Sequence, residues 1–86
     1  MVETAENRLK RLRMRSWRRG IKEMDLILGP YADASLAGLD ADQIDAYEAL
    51  LDENDQDLYA WFSGREAAPE RHRPVIETVL QGRAFR

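Results

Sequence analysis

In successive stretches between Leu9 and Leu80 the large apolar residues of this chain return every three or four positions. That spacing is the period of a helix buried along one side, whereas a strand half-buried in a sheet would alternate. No segment holds four or more alternating positions rich in β-branched residues, so the reading is all-α with no strand. Eighty-six residues make one domain. A core that thin supports a net stability of only ~3–5 kcal/mol. The chain has no cysteine, so neither a disulfide nor thiolate chemistry is available. Its longest apolar runs, such as Leu26-Ile27-Leu28, fall far short of the ~20 residues of a membrane span.

Five helices can be placed. The first is expected over Thr4–Arg18, with Leu9, Leu12 and Ser16 on one stripe, and with Gly20 as a left-handed stop. The second is expected over Ile21–Tyr31, because Ile21, Met24, Ile27, Leu28 and Tyr31 share a face. Gly29-Pro30 should end or bend it, since proline lacks an amide hydrogen and its ring clashes with the carbonyl four residues back. Residues 32–39 then read as loop. Asp40 and Gln43 form a capping box for the third helix, with Leu39 and Ile44 as a hydrophobic staple across it. Ile44, Tyr47, Leu50 and Leu51 are its buried stripe. A break at Asn54-Asp55 opens a short fourth helix, to about Ser63, whose buried face is Leu58, Trp61 and Phe62. Asp55 and Asp57 suit the positive end of its dipole. The fifth runs over about Glu70–Gln81, with a start nearer Arg73 because Pro74 is tolerated only in a first turn. Gly82 should stop it. The expected fold is a compact five-helix antiparallel bundle, residues 1–86 forming a single helical domain with 1–7 and 82–86 frayed.

The net charge of -3 hides a split. Residues 1–23 carry eight Lys/Arg against three acids, for +5, and residues 24–86 carry five Arg against thirteen acids, for -8. The basic stretch is either a contact surface or a helix that neutralises acidic neighbours, and both readings stay open. Between Arg8 and Arg19 there are seven cations in twelve residues, enough for several phosphate contacts, and Trp17 could stack on a base. The acidic remainder opposes a polyanion, and no base-reading helix stands out.

Catalysis is poorly supplied. The single histidine, His72, sits between two arginines near a helix start and reads as solvent-exposed. Ser16, Ser35 and Ser63 lie in no nucleophile-type turn. One histidine with scattered carboxylates is a weak metal set. The run Asp52–Asp57 lacks the glycine and closing glutamate of a calcium loop, and helix capping explains it better. No phosphate-cradling glycine loop is present. A protein-binding module remains. The segment Trp17-Arg18-Arg19-Gly20-Ile21-Lys22-Glu23-Met24-Asp25 gathers an aromatic, paired arginines, a glycine and acids at one interhelix turn. Trp and Arg dominate interface hot spots, and glycine allows close backbone approach. Arg19 reads as an exposed cation there, whose removal would change stability by less than ~0.5 kcal/mol. Glu23 lies four residues beyond it, close enough to pair if the helix is continuous.

Arg19-Gly20-x-x-Glu23 followed by Asp25 and the apolar run to Leu28 resembles the hallmark of the succinate dehydrogenase flavinylation factors. These are called succinate dehydrogenase assembly factor 2 in mitochondria and the SdhE family in bacteria. Tyr47-x-x-Leu50-Leu51, then Asp55-x-Asp57-Leu58-Tyr59-x-Trp61, is a second similar block, and together the likeness covers roughly residues 8–81. The resemblance implies a five-helix bundle and an assembly factor rather than an enzyme. It implies that the partner is the flavoprotein subunit of succinate dehydrogenase, and of related fumarate reductases, which attaches FAD to one of its own histidines. His72 is then not the attachment site, FAD is the partner's cofactor, and none is held stably by this chain. Arg19, Gly20 and Glu23 carry over as the working surface, with Trp17, Arg18 and Asp25 beside them. The alternative is a small helical nucleic-acid-binding protein that uses the basic first helix. An Arg-rich start could be an organelle transit peptide, but Glu3 and Glu6 are unusual in one, serine is scarce, and the stretch runs unbroken into the Arg19-Gly20 motif; with no apolar signal core either, the expected location is the cytoplasm, with the chain a monomer when free.

Overall fold

The computed structural model describes residues 2–84, and side chains of residues 2–81. The described residues are all-α, with five helices and no strand. The radius of gyration is 12.3 Å, close to the ~12 Å of a well-packed chain of this length.

Helix α1 (Ala5–Trp17) begins inside the stretch expected to fray. The Thr4 hydroxyl accepts from the Asn7 amide at 3.1 Å and ties down an otherwise orphan donor. Leu12 and Ser16 are fully buried. The Ser16 hydroxyl donates to the Leu12 carbonyl (2.8 Å), so the Tyr47 hydroxyl is the donor in the 2.6 Å bond between the two side chains. A polar pair is thereby satisfied inside the core.

Helix α2 (Lys22–Ser35) overturns the expected stop at Gly29-Pro30: Pro30 lies inside the helix, and residues 32–35 are helical. The physical reason lies one residue back. Besides its clash with the carbonyl four residues back, the proline ring clashes with the Cβ of the preceding residue, and Gly29, having no Cβ, removes that part of the cost. Burial of Tyr31, Ala32 and Leu36 beyond the proline offsets the lost hydrogen bond. A single 3-10 turn, Leu36–Gly38, then leads to Asp40.

Helix α3 (Ala41–Leu51) starts on the expected capping box, Asp40 Oδ1 accepting from the Gln43 amide at 2.8 Å and Gln43 Oε1 from the Asp40 amide at 2.9 Å. Asn54 caps α4 (Asp55–Phe62) by accepting from the Asp57 amide. Gly64, at φ +82°, is the one residue with positive φ among those described. Gly20 is therefore not the left-handed stop expected of it. Helix α5 (Arg73–Ala84) carries Pro74 in its first turn and runs through Gly82, where a stop was expected. Glycine permits a stop and costs only ~1 kcal/mol inside a helix, so it does not impose one. The expected fraying of residues 85 and 86 lies outside the described residues, as does residue 1.

Helix α2 packs against α1, α4 and α5, and α3 packs against α1 and α5. Met24, Leu28, Tyr47, Leu50, Leu58 and Val79 fill the space between them. Trp61 is half-buried against this cluster rather than within it. Its ring faces His72, centroid to centroid 5.7 Å at 35°. His72 is not exposed as expected, but 2% exposed, with Nε2 2.6 Å from Glu53 Oε2. The Pro69 carbonyl accepts the amides of both His72 and Arg73, and that turn carries the ring inward.

Two pH limits follow. His72, then Arg71, hold the Glu53 carboxyl below the usual carboxylate range. Arg11 does the same for Glu3, and Arg11 and then Arg8 for Glu48. Their contribution is present above about pH 4.5 and is lost as the pH falls through the lower folded values. Thermal melts from pH 7 to pH 3 should show this loss, and Glu53→Gln should shallow it. Burial pushes the Tyr47 hydroxyl up to about 12 against 10.0 for an exposed tyrosine. A raised folded value means stability is present below pH 10 and is lost as the pH rises towards 12. Tyr47→Phe should cost about 1 kcal/mol at pH 7, since Ser16 loses its donor, and should weaken the alkaline loss. An unchanged alkaline limb in that variant would place its origin elsewhere.

Candidate functional site

The unusual segment Trp17–Asp25 lies where α1 hands over to α2. Arg18 closes α1, and Arg19–Ile21 are non-helical. Ile21 offers α2 no side-chain cap, but Asp25 Oδ1 accepts the Arg19 amide at 2.6 Å and so ties the link to the first turn of α2.

Arg19 is not the exposed cation expected of it. Its side chain is 10% exposed, and its guanidinium reaches three backbone or side-chain oxygens on the other side of the molecule. Nε donates to Asp55 Oδ1 at 2.8 Å, Nη1 to the Leu51 carbonyl at 2.8 Å and Nη2 to the Glu53 carbonyl at 2.8 Å. The other oxygen of the same carboxylate, Asp55 Oδ2, accepts the Gly20 amide at 2.5 Å. One carboxylate at the start of α4 thus grips two consecutive residues of the link, while the arginine head closes the C-terminal end of α3. That end carries the negative pole of the helix dipole, which favours a cation. Arg15 adds to it, donating to the Leu51 carbonyl and to Asp52.

This geometry explains Gly20. A Cβ there would stand 2.5 Å from Asp55 Oδ2. The glycine is needed for the closeness of the carboxylate rather than for a left-handed backbone. Gly29 plays a similar part for Trp17, whose indole lies over it where a Cβ would collide with the ring. Trp17 Nε1 donates to Asp33 at 3.1 Å, and 40% of the residue remains exposed.

The sequence-derived residues therefore fall into two groups. Arg19 and Asp25 are turned into the fold. Trp17, Arg18, Gly20 and Glu23 reach solvent. Glu23 does not pair with Arg19, because the chain between them is not helical and Asp55 has taken the guanidinium. Sequence reading assigned Asp55 to the dipole of α4 alone and missed its hold on Arg19. A signal was available: the two blocks that carry the resemblance, around Arg19 and around Asp55, are the two halves of this clamp.

The basic stretch divides in the same way. Arg8 pairs with Asp45 and Glu48, Arg11 with Glu3 and Glu48, Arg15 with Asp52 and Arg19 with Asp55. Four of its seven cations thus neutralise acids of the fold, which removes most of the basis for a nucleic-acid interface. Among the described residues no group of His, Asp and Glu is placed to hold a metal ion, and no helix is long and apolar enough to cross a membrane.

Comparison with known proteins places these observations. Residues 10–83 match the family model described as "Flavinator of succinate dehydrogenase". Similar proteins include succinate dehydrogenase assembly factor 2, mitochondrial, from Aspergillus terreus, 43% identical over 71 residues, which are 83% of this chain and 23% of that protein. The protein of the same name from Schizosaccharomyces pombe is 39% identical over 69 residues, 80% of this chain and 50% of that protein. That from Yarrowia lipolytica is 36% identical over 84 residues, 92% of this chain and 58% of that protein. The chain thus spans between about a quarter and three-fifths of the length of these relatives. The expected cytoplasmic location is overturned, because these relatives are named as mitochondrial proteins. A missing apolar signal core bears on secretion and not on entry into an organelle. With a family model matching residues 10–83 and relatives of this identity, the chain belongs to the family of flavinators of succinate dehydrogenase.

Proposed function

We propose that this chain promotes covalent attachment of FAD to the flavoprotein subunit of succinate dehydrogenase, as a binding adaptor and not as an enzyme. The observation that carries the reading is the clamped link: Asp55 fastens Arg19 and Gly20 of a short non-helical segment, and Trp17, Arg18, Gly20 and Glu23, on and beside that segment, reach solvent. Rigid surfaces bind with less loss of freedom, and Trp and Arg are frequent interface anchors. Arg19 and Asp25 serve the site from behind, by shaping it.

The chemistry then belongs to the partner. Flavinylation needs the flavin methyl group and the partner's histidine in near-attack geometry. An adaptor that prefers the partner conformation with that geometry raises its population by its differential affinity. FAD stays with the partner, the adaptor acts as a monomer, and His72, enclosed by Glu53 and Trp61, takes no part.

The test separates presentation from scaffolding. In cells whose flavinylation depends on this chain, covalent flavin in the partner subunit is read by in-gel fluorescence. Arg18→Ala and Glu23→Ala change exposed side chains and should melt within ~0.5 kcal/mol of the parent, yet lower the covalent flavin sharply. Arg19→Ala should lower both, with a stability loss of about 2 kcal/mol, because it leaves a partly buried Asp55 carboxylate and two carbonyls without their donor. Gly20→Ala should cost about 1 kcal/mol by pushing that carboxylate away. Normal covalent flavin with the Arg18→Ala/Glu23→Ala double variant would remove this surface from the function. Failure of the parent chain to support flavinylation would remove the function itself.

A further inference from the structure

The cations of α1 that are not consumed by the fold lie together. Arg13 and Met14 lie three and four residues after Lys10, and Trp17 lies four and three residues after them, so the four share one side of the helix, and all are exposed. Through the Trp17 ring, which rests on Gly29, this patch continues onto α2. Leu26 lies one turn before Gly29, and Lys22 one turn before Leu26. Met14, Trp17 and Leu26 are three of the exposed large apolar residues of the chain, 54%, 40% and 57% accessible. Lys10, Arg13 and Lys22 form no ion pair with any described residue, whereas Arg8, Arg11, Arg15 and Arg19 all do. The surface is therefore an apolar strip edged by three cations without an ion partner among the described residues, with the Asp33 carboxylate held on the Trp17 indole, on a chain whose other residues carry net negative charge.

We propose that this α1–α2 strip docks a segment of the flavoprotein subunit in which carboxylates flank an apolar side chain. The proposal rests on the function proposed above and names the chemistry of the contact. Charge complementarity selects an acidic occupant, and the net negative charge of the rest of the chain disfavours its approach from other sides. The three apolar side chains match a short segment. At an anionic lipid surface the acidic remainder of the chain would be repelled. The indole N–H, a group that seeks polar partners at a membrane interface, is already taken by Asp33.

The strip is continuous with the clamped link through Trp17. Binding there would place Arg18 and Glu23 against the partner while the cations of α1 engage its acids. Electrostatic contacts of this kind act mainly on the association rate and weaken with salt.

The experiment measures binding of the full chain to purified, unflavinylated flavoprotein subunit over a range of salt concentrations. Lys10→Glu/Arg13→Glu reverses two exposed, unpaired charges and should melt like the parent. It should bind about tenfold more weakly or worse at low salt, with a flattened salt dependence. Met14→Ser/Leu26→Ser should weaken binding while keeping the parent's salt dependence. Parent binding with an unaltered affinity and salt slope in both double variants overturns the strip and leaves the proposed function standing. No binding by the parent chain overturns the proposed function, and the strip's assignment with it. In a parallel arm with vesicles of phosphatidylcholine and phosphatidylglycerol, binding by the parent that Lys10→Glu/Arg13→Glu abolishes would assign the strip to lipid and overturn the proposal.

Discussion

The carboxylate of Asp55 joins parts of the chain that local structure would leave independent. One oxygen holds the Arg19 side chain and the other the Gly20 amide, so the link between α1 and α2 is fastened to the first residue of α4. The guanidinium it positions closes the last turn of α3. Four helices thus meet at one ion pair whose partners are 10% and 20% exposed. A partly desolvated pair of this kind is worth little against an apolar replacement of the same shape, but removing one member strands the other. It therefore specifies an arrangement more than it adds net stability. In a small chain with no disulfide, ties of this sort set how the helices meet.

The same contact decides what each residue of the turn can do. An arginine that makes three bonds inside the molecule has few donors left for a partner. Gly20 keeps the carboxylate close, and Asp25 takes the Arg19 amide. What faces outward is what these residues leave uncovered: the edge of Trp17, Arg18, the Gly20 backbone and Glu23. A motif that reads in sequence as one surface is, in the fold, a support and a face.

Much of the architecture was legible because helices are governed by neighbours within four residues. The stripes of α2 and α3, the caps at Thr4, Asp40 and Asn54, and the placing of Pro74 all obey that range. The errors came where a distant or second residue intervenes. Pro30 is tolerated because its predecessor lacks a Cβ and because Tyr31, Ala32 and Leu36 beyond it are buried. His72 is enclosed by Glu53, 19 residues away, and Arg19 by Asp55, 36 residues away. No local rule reports such pairings. The segment holding the candidate site could therefore be located from the sequence, while the division of labour within it could not.

The charge split is explained in large part by the neutralising role, since Arg8, Arg11, Arg15 and Arg19 all pair with acids of the chain. Helical geometry sends Arg8, Arg11 and Arg15 to one side of α1, three or four residues apart, where acids of α3 and the chain just before α1 await them. The same geometry sends Lys10 and Arg13 to another side, with Met14 and Trp17 beside them and no ion pair to a described residue. A helix that only balanced its neighbours would need one charged face. Three arginines of this helix, Arg8, Arg11 and Arg15, are spent on carboxylates of the chain itself. One short helix therefore has two charged faces: the internal pairs fix it in place, and that fixing holds Lys10 and Arg13 at a defined position on its outer side.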